Sequence, residues 1–250
     1  MKTKGLFYGI PYTIYHRDDR TRKPVLFFFH GLGSDRESGS MGRCEHLSEL
    51  GYYVVAIDAY WHGERKKNIF TNLSQAEKQK EVINIAIQTA KDALFLYRNY
   101  IKNMHDIILY QVTAYGVSLG GTTAFYFATI MDEVKTVVSV LGSPSFVDFY
   151  QYKQQKYHFE QDDTYKSNLN YYETIDPLKH HQLLTNKTLW MATGDKDMVV
   201  PNIFSKRLKE LLINNNNVIY RNYDTAHEST YEMTQDSYSF LSENLPFICK

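Results

Sequence analysis

The chain has only two cysteines in 250 residues, Cys44 and Cys249, near opposite ends. Two such distant thiols make neither a disulfide framework nor a metal-ligand pattern, so they read as free thiols in a reducing compartment. Net charge is also missing: 28 Lys and Arg balance 28 Asp and Glu, and no long basic run is present. This argues against a general nucleic-acid binder, because phosphate binding draws on clustered cations, and leaves room only for a local patch. Long hydrophobic runs are absent as well. Val25 to Phe29 has strand length and is far too short to span a bilayer, and Leu6 to Ile10 behind the basic N-terminus is too short for a secretory core. These absences lead to the expectation of a cytoplasmic protein with no membrane partner. What the chain does have is 43% hydrophobic residues and 15% aromatics, enough to bury a core without disulfides or metals.

Strand-type and helix-type patterns alternate, the signature of a parallel sheet with crossover helices. Residues 9–17 read as an early exposed strand. Residues 24–29 form a continuous apolar run that stops at His30-Gly31-Leu32-Gly33, and residues 52–59 form another that stops before His62-Gly63-Glu64. Ser74 to Glu77 has the form of a capping box, and Ile83, Ile87, Ala90, Leu94, Tyr97 and Ile101 continue at helical spacing. Further strands are expected at 112–117, 136–141, 188–193 and 218–223, and helices after 118, around 202–213 and around 229–245. The rhythm breaks between 143 and 181. Nine of the 27 residues from Phe146 to Tyr172 are aromatic, Tyr150 among them, and the segment reads as a small cap inserted within a single domain spanning 1–250. A cap of this kind would bring tyrosine hydroxyls to a substrate; ordinary packing of helices on the sheet accounts for the same composition.

Gly116-Val117-Ser118-Leu119-Gly120 fits G-x-S-x-G between a strand and a helix, the context in which a sharp turn exposes a serine hydroxyl. A serine becomes a nucleophile only when an imidazole takes its proton, and that imidazole needs a carboxylate to orient it. The strand at 188–193 runs into Gly194-Asp195-Lys196-Asp197, so two acids compete for this task. The strand at 218–223 runs into Ala226-His227-Glu228, and His227 is the one histidine C-terminal to those acids.

Together, His30 to Gly33, Asp58 with His62 to Glu64, Gly116 to Gly121, Gly194 to Pro201 and Ala226 to Glu228 resemble the α/β-hydrolase superfamily. More narrowly, they look like bacterial carboxylesterases related to the dienelactone-hydrolase and prolyl-oligopeptidase branches. The resemblance implies a mostly parallel twisted sheet flanked by helices, a Ser118 nucleophile, His227 as base and then acid, and Asp197 as orienting carboxylate in preference to Asp195. It also implies an oxyanion hole made by the amides of Leu32 and Leu119, with no cofactor and no metal. His30 is expected to brace the oxyanion loop, and His30, His62 and Tyr150 to line the site. Departures exist: the HGGG pattern of many esterases is replaced by His30-Gly31-Leu32-Gly33, and dienelactone hydrolases use cysteine where this chain has Ser118.

The expected reaction is hydrolysis of a small to medium carboxylic ester, a small-molecule partner, through an acyl-enzyme. The balanced charge suggests largely neutral esters. Short-peptide or aminoacyl hydrolysis is the alternative within the class, and a non-catalytic binding module the alternative outside it. Sequence carries no statement of oligomeric state.

Overall fold

The structure is a computed structural model that describes residues 1–66, 68–215 and 217–245; Cys249 lies outside them. Eight strands form one sheet: β1 (Lys2–Phe7), β2 (Ile10–Tyr15), β3 (Lys23–Phe29), β4 (Tyr53–Ile57), β5 (Ile107–Val117), β6 (Val134–Val140), β7 (Thr188–Gly194) and β8 (Val218–Tyr223). Their order is β1-β2-β4-β3-β5-β6-β7-β8. β1 pairs with β2, and β2 with β4, antiparallel; every other pairing is parallel. This is the α/β-hydrolase architecture expected from the sequence.

β3 reads as unbroken hydrophobicity because both its faces are covered. Val25, Phe27 and Phe29 join the core shared with the long helix α3, whereas Leu26 and Phe28 join Leu47, Phe240 and Leu241 on the opposite side. In chain order the helices are α1 (Arg43–Glu49), α2 (Asn68–Asn72), α3 (Gln75–Asn99), α4 (Leu119–Ile130), α5 (Val147–Tyr157), α6 (Asp163–Ile175), α7 (Ile203–Leu211) and α8 (Tyr231–Glu243). α3 begins at the capping box foreseen in the sequence: Ser74 Oγ accepts the Glu77 amide, and the Glu77 carboxylate accepts the Ser74 amide.

One expectation needs correction. The early strand is buried, because β2 lies between β1 and β4 and every one of its residues is covered. Its partner β1 escaped notice because its own residues are mostly exposed and polar, so no apolar period marks it. The inserted segment is a helix pair, α5 and α6, between β6 and β7. Its aromatics chiefly pack on one another: the Tyr150 ring stacks on Tyr165 at 5.0 Å and meets Tyr172 edge-on at 5.0 Å. Packing, rather than presentation of hydroxyls to a substrate, explains most of that aromatic density.

Asp176 ties the two ends of the insertion to each other. Its Oδ2 accepts the amides of Phe146 at 2.9 Å and Val147 at 2.8 Å, and its Oδ1 those of Leu178 at 2.8 Å and Lys179 at 3.3 Å. One fully buried carboxylate thus fastens both ends of the segment.

Candidate active site

The sheet order reverses at β3, whose two neighbours β4 and β5 lead their loops apart, and ligands of open α/β sheets bind at such a switch point. Register places Phe29 beside Gly116, so the loop after β3 and the turn after β5 emerge next to each other. That turn is strained: Ser118 has φ 56° and ψ −114°, outside the favourable regions for a residue with a side chain. Glycines make it possible. A Cβ on Gly116 would fall 1.9 Å from the Gly120 carbonyl oxygen, and one on Gly120 1.9 Å from that of Phe29.

Ser118 Oγ lies 2.7 Å from His227 Nε2, and His227 Nδ1 lies 2.7 Å from Asp197 Oδ2. A carboxylate only accepts, so Nδ1 carries the ring hydrogen and donates it to Asp197. Nε2 is left with a lone pair for the serine hydroxyl. Asp197 Oδ1 accepts the amides of Val199 at 2.8 Å and Val200 at 2.9 Å. Burial pulls the Asp197 pKa upward, but the bonds from His227, Val200 and Val199 outweigh it and hold the carboxyl below its ordinary range. Asp195 is exposed and accepts the Thr225 amide at 3.2 Å, so the two acids of this loop have separate partners.

The amide of Leu119 opens α4 and, as a first-turn amide, has no partner within the helix. A Cβ built on Gly31 would stand 3.8 Å from Ser118 Cβ, which places the His30-Gly31-Leu32 backbone against the serine. His30 braces that loop from behind: Nδ1 donates to the Gly31 carbonyl at 2.8 Å, and Nε2 accepts the Ala59 amide at 2.9 Å. Burial lowers the His30 pKa to about 4, so it remains the neutral ring that this pair of bonds requires.

Ser118 and His227 open on a cavity of about 330 Å³, with walls that include Val82, Phe149, Lys153, Val199 and Val200. Leu32 borders both this cavity and a neighbouring one of about 920 Å³. The lining expectations are corrected accordingly. Tyr150 is fully buried between α5 and α6, with its hydroxyl 3.4 Å from Asn168 Nδ2, and reaches neither cavity. His30 sits behind the loop rather than in the wall. His62 borders only the larger cavity, where its Nδ1 donates to the Tyr60 carbonyl at 2.9 Å and its ring packs on Phe70. Asp58, close to it in sequence, is taken by Arg36 and the Glu64 amide. Among the described residues no group of three or more His, Cys, Asp or Glu could hold a metal ion. Sequence reasoning missed Gln79 and Lys153, since each stands inside a helix with no motif around it, whereas Phe149 is one of the nine aromatics of the inserted segment.

An eight-stranded sheet of this order, with a strained serine at the turn after β5 facing a histidine and an acid from later loops, defines an α/β-hydrolase. The chain belongs to the dienelactone hydrolase family, whose model matches residues 10–238. It is 26% identical over 203 residues, 77% of this chain and 76% of the relative, to "Putative esterase YitV" of Bacillus subtilis (strain 168). Similar solved structures include TT1662 from Thermus thermophilus, with TM-score 0.75, 18% identity and 97% of each chain covered. Acetyl xylan esterase 1 from Thermoanaerobacterium sp. JW/SL YS485 is similar at TM-score 0.66 and 18% identity, over 97% of this chain and 82% of that one. Pyrococcus horikoshii acylaminoacyl peptidase is similar at TM-score 0.72 and 14% identity, over 98% of this chain and 41% of the peptidase. Family and fold together identify a hydrolase.

Proposed function

We propose that this hydrolase is a serine esterase that cleaves small to medium carboxylic esters through an acyl-enzyme intermediate. The observation that carries the reading is the continuous hydrogen-bonded chain from Ser118 Oγ through His227 to Asp197. Ser118 Oγ attacks the ester carbonyl carbon while its proton passes to His227 Nε2, and Asp197 stabilises the imidazolium that forms. The amides of Leu119 and Leu32 donate to the oxyanion of the tetrahedral intermediate, the role in which preorganised backbone dipoles contribute most. Collapse breaks the bond to the leaving alcohol, which takes the proton from His227. Water then attacks the acyl-enzyme with His227 again accepting a proton, and the second collapse returns that proton to Ser118 and frees the acid.

The chemistry uses protein groups alone. Support for esters comes from the esterase name of the Bacillus relative and from the small cavity beside Ser118. Cytoplasmic residence belongs to the same proposal, supported by the buried free thiol of Cys44.

Ser118→Ala is expected to lower hydrolysis of a short-chain aryl ester by about 10⁴-fold or more and to remove labelling by a fluorophosphonate at this position. Full turnover by the variant would falsify the mechanism. Inclusion of an aminoacyl amide in the substrate panel compares ester with amide cleavage directly.

A further inference from the structure

Two arginines are buried among the described residues, Arg36 and Arg43, each 4% exposed. Arg36 meets two carboxylates, those of Asp58 and Glu64, each at 2.5 Å. Arg43 meets none: among the described residues no Asp or Glu lies at ion-pair distance from it. Its bonds go to neutral oxygens. Nη2 donates to Ser229 Oγ at 2.9 Å and to Thr234 Oγ1 at 3.1 Å, Nη1 donates to the Ser40 carbonyl at 3.3 Å, and among the described residues the buried Nε finds no partner. Burying a cation without an anion is among the costlier arrangements in a protein interior.

Both hydroxyls belong to the segment that follows the base. Ser229 comes two residues after His227, and Thr234 lies in the first turn of α8. From Ala226 to Ser229 the main chain makes no hydrogen bond to another main-chain group among the described residues. The hydrogen bonds that hold this stretch come from side chains instead. His227 itself reaches Ser118 and Asp197, and Ser229 rests on Arg43. Arg43 in turn opens α1, whose Cys44 and Leu47 are buried with Phe240 and Leu241. It links the loop of the base to the core by a route independent of Asp197.

We propose that Arg43 is a positioning residue for the reaction: by gripping Ser229 and Thr234 it fixes the loop so that His227 Nε2 stays on Ser118 Oγ. Arginine suits this task, because its planar fork is always charged and presents several donors in a fixed arrangement, and charge-assisted bonds are the strong ones. A loop with no main-chain bonds of its own needs such a grip, since a displacement of about 1 Å can cost about 100-fold in rate. For its turnover readout the inference rests on the esterase reading; for its spectroscopic readout it rests on the geometry of Ser118, His227 and Asp197 alone.

The test measures kcat and KM for a short-chain aryl ester with Arg43→Met and Arg43→Lys, each below its own melting midpoint. Arg43→Met is expected to lower kcat about 30-fold with KM changed less than about twofold, and Arg43→Lys, which keeps the charge, to restore part of the loss. Combined with His227→Ala, Arg43→Met should lower the residual rate by less than about twofold, because the group it positions is gone. A wild-type kcat in folded Arg43→Met, or an equal loss in the His227→Ala background, overturns the proposal. Should Arg43→Met fail to fold, Thr234→Val removes one acceptor from the same guanidinium and should lower kcat about fivefold; a wild-type kcat there overturns the proposal as well. If wild-type protein neither turns over the ester nor takes a fluorophosphonate at Ser118, the esterase reading fails separately, and NMR then decides on Arg43. The proton on His227 Nδ1, assigned by its loss in His227→Gln, should give a slowly exchanging downfield line that Arg43→Met or Thr234→Val broadens or removes. An unchanged line sinks the idea.

Discussion

Asp195 and Asp197 stand two residues apart on one loop, and their surroundings differ because only one side chain turns inward. Asp197 is 4% exposed, accepts two loop amides through Oδ1 and meets His227 through Oδ2, whereas Asp195 stays in solvent beside the Thr225 amide. Asp197→Asn puts the wrong tautomer demand on His227 and should lower kcat by about 10⁴-fold, while Asp195→Asn should stay near wild type. Steady-state kinetics on the two variants checks this, and the reverse pattern would reassign the acid. Spacing in the sequence favoured Asp197 through family resemblance alone; the physical reason is a side-chain direction that no local pattern encodes. Ser118 and His227 were more legible, since the elbow requires its glycines and His227 is the one histidine after both acids. Lys153 and Gln79 were illegible, because each resembles an ordinary polar position on a helix until α3 and α5 meet.

At the scale of elements, α5 and α6 behave as one unit fastened at its ends by Asp176 and along its length to α3. Lys80 pairs with Asp162 at 2.8 Å, and the Tyr172 hydroxyl donates to Asn84 Oδ1 at 2.8 Å. α5 carries Phe149 and Lys153, so its position sets one wall of the Ser118 cavity. Asp176→Asn retains one carbonyl oxygen but turns an amide group toward two backbone donors. It should therefore cost about 1–3 kcal/mol and raise KM more than it lowers kcat. Thermal denaturation and kinetics together test this, and an unchanged melting temperature counts against Asp176 as the fastening point. The sequence marked this segment by its aromatics and by the break in strand rhythm. Its helices went unassigned because tyrosines packing between two helices leave no simple apolar period.

Across the whole molecule, the buried neutral His30 makes stability depend on pH. Its folded pKa of about 4 lies below the ordinary histidine value of 6.5, so between those values the unfolded chain binds a proton that the folded chain does not. Stability should be at its full value above pH 6.5, fall as pH drops from 6.5 to 4, and lose on the order of 3 kcal/mol over that window. His30→Gln is expected to flatten this part of the profile in urea titrations at several pH values. An equally steep slope in the variant would assign the acid sensitivity to other groups. No helix among the described residues is long and apolar enough to cross a membrane, in keeping with the short hydrophobic runs of the sequence.

Sequence by itself determined that a mostly parallel sheet with crossover helices forms the core, that Ser118 stands on a glycine-flanked turn between strand and helix, and that the proposed nucleophile, acid and base follow one another along the chain. These rest on short-range rules: a strand covered on both faces is continuously apolar, an elbow needs glycine two residues to either side of its serine, and catalytic groups follow strands. Tertiary structure decided which acid reaches His227, that Tyr150 packs between helices instead of lining the site, and that Lys153 stands in the cavity wall. Each of these depends on side chains from elements far apart in the chain. Their meeting is set by how the helices cover the sheet, and no local pattern of residues records it.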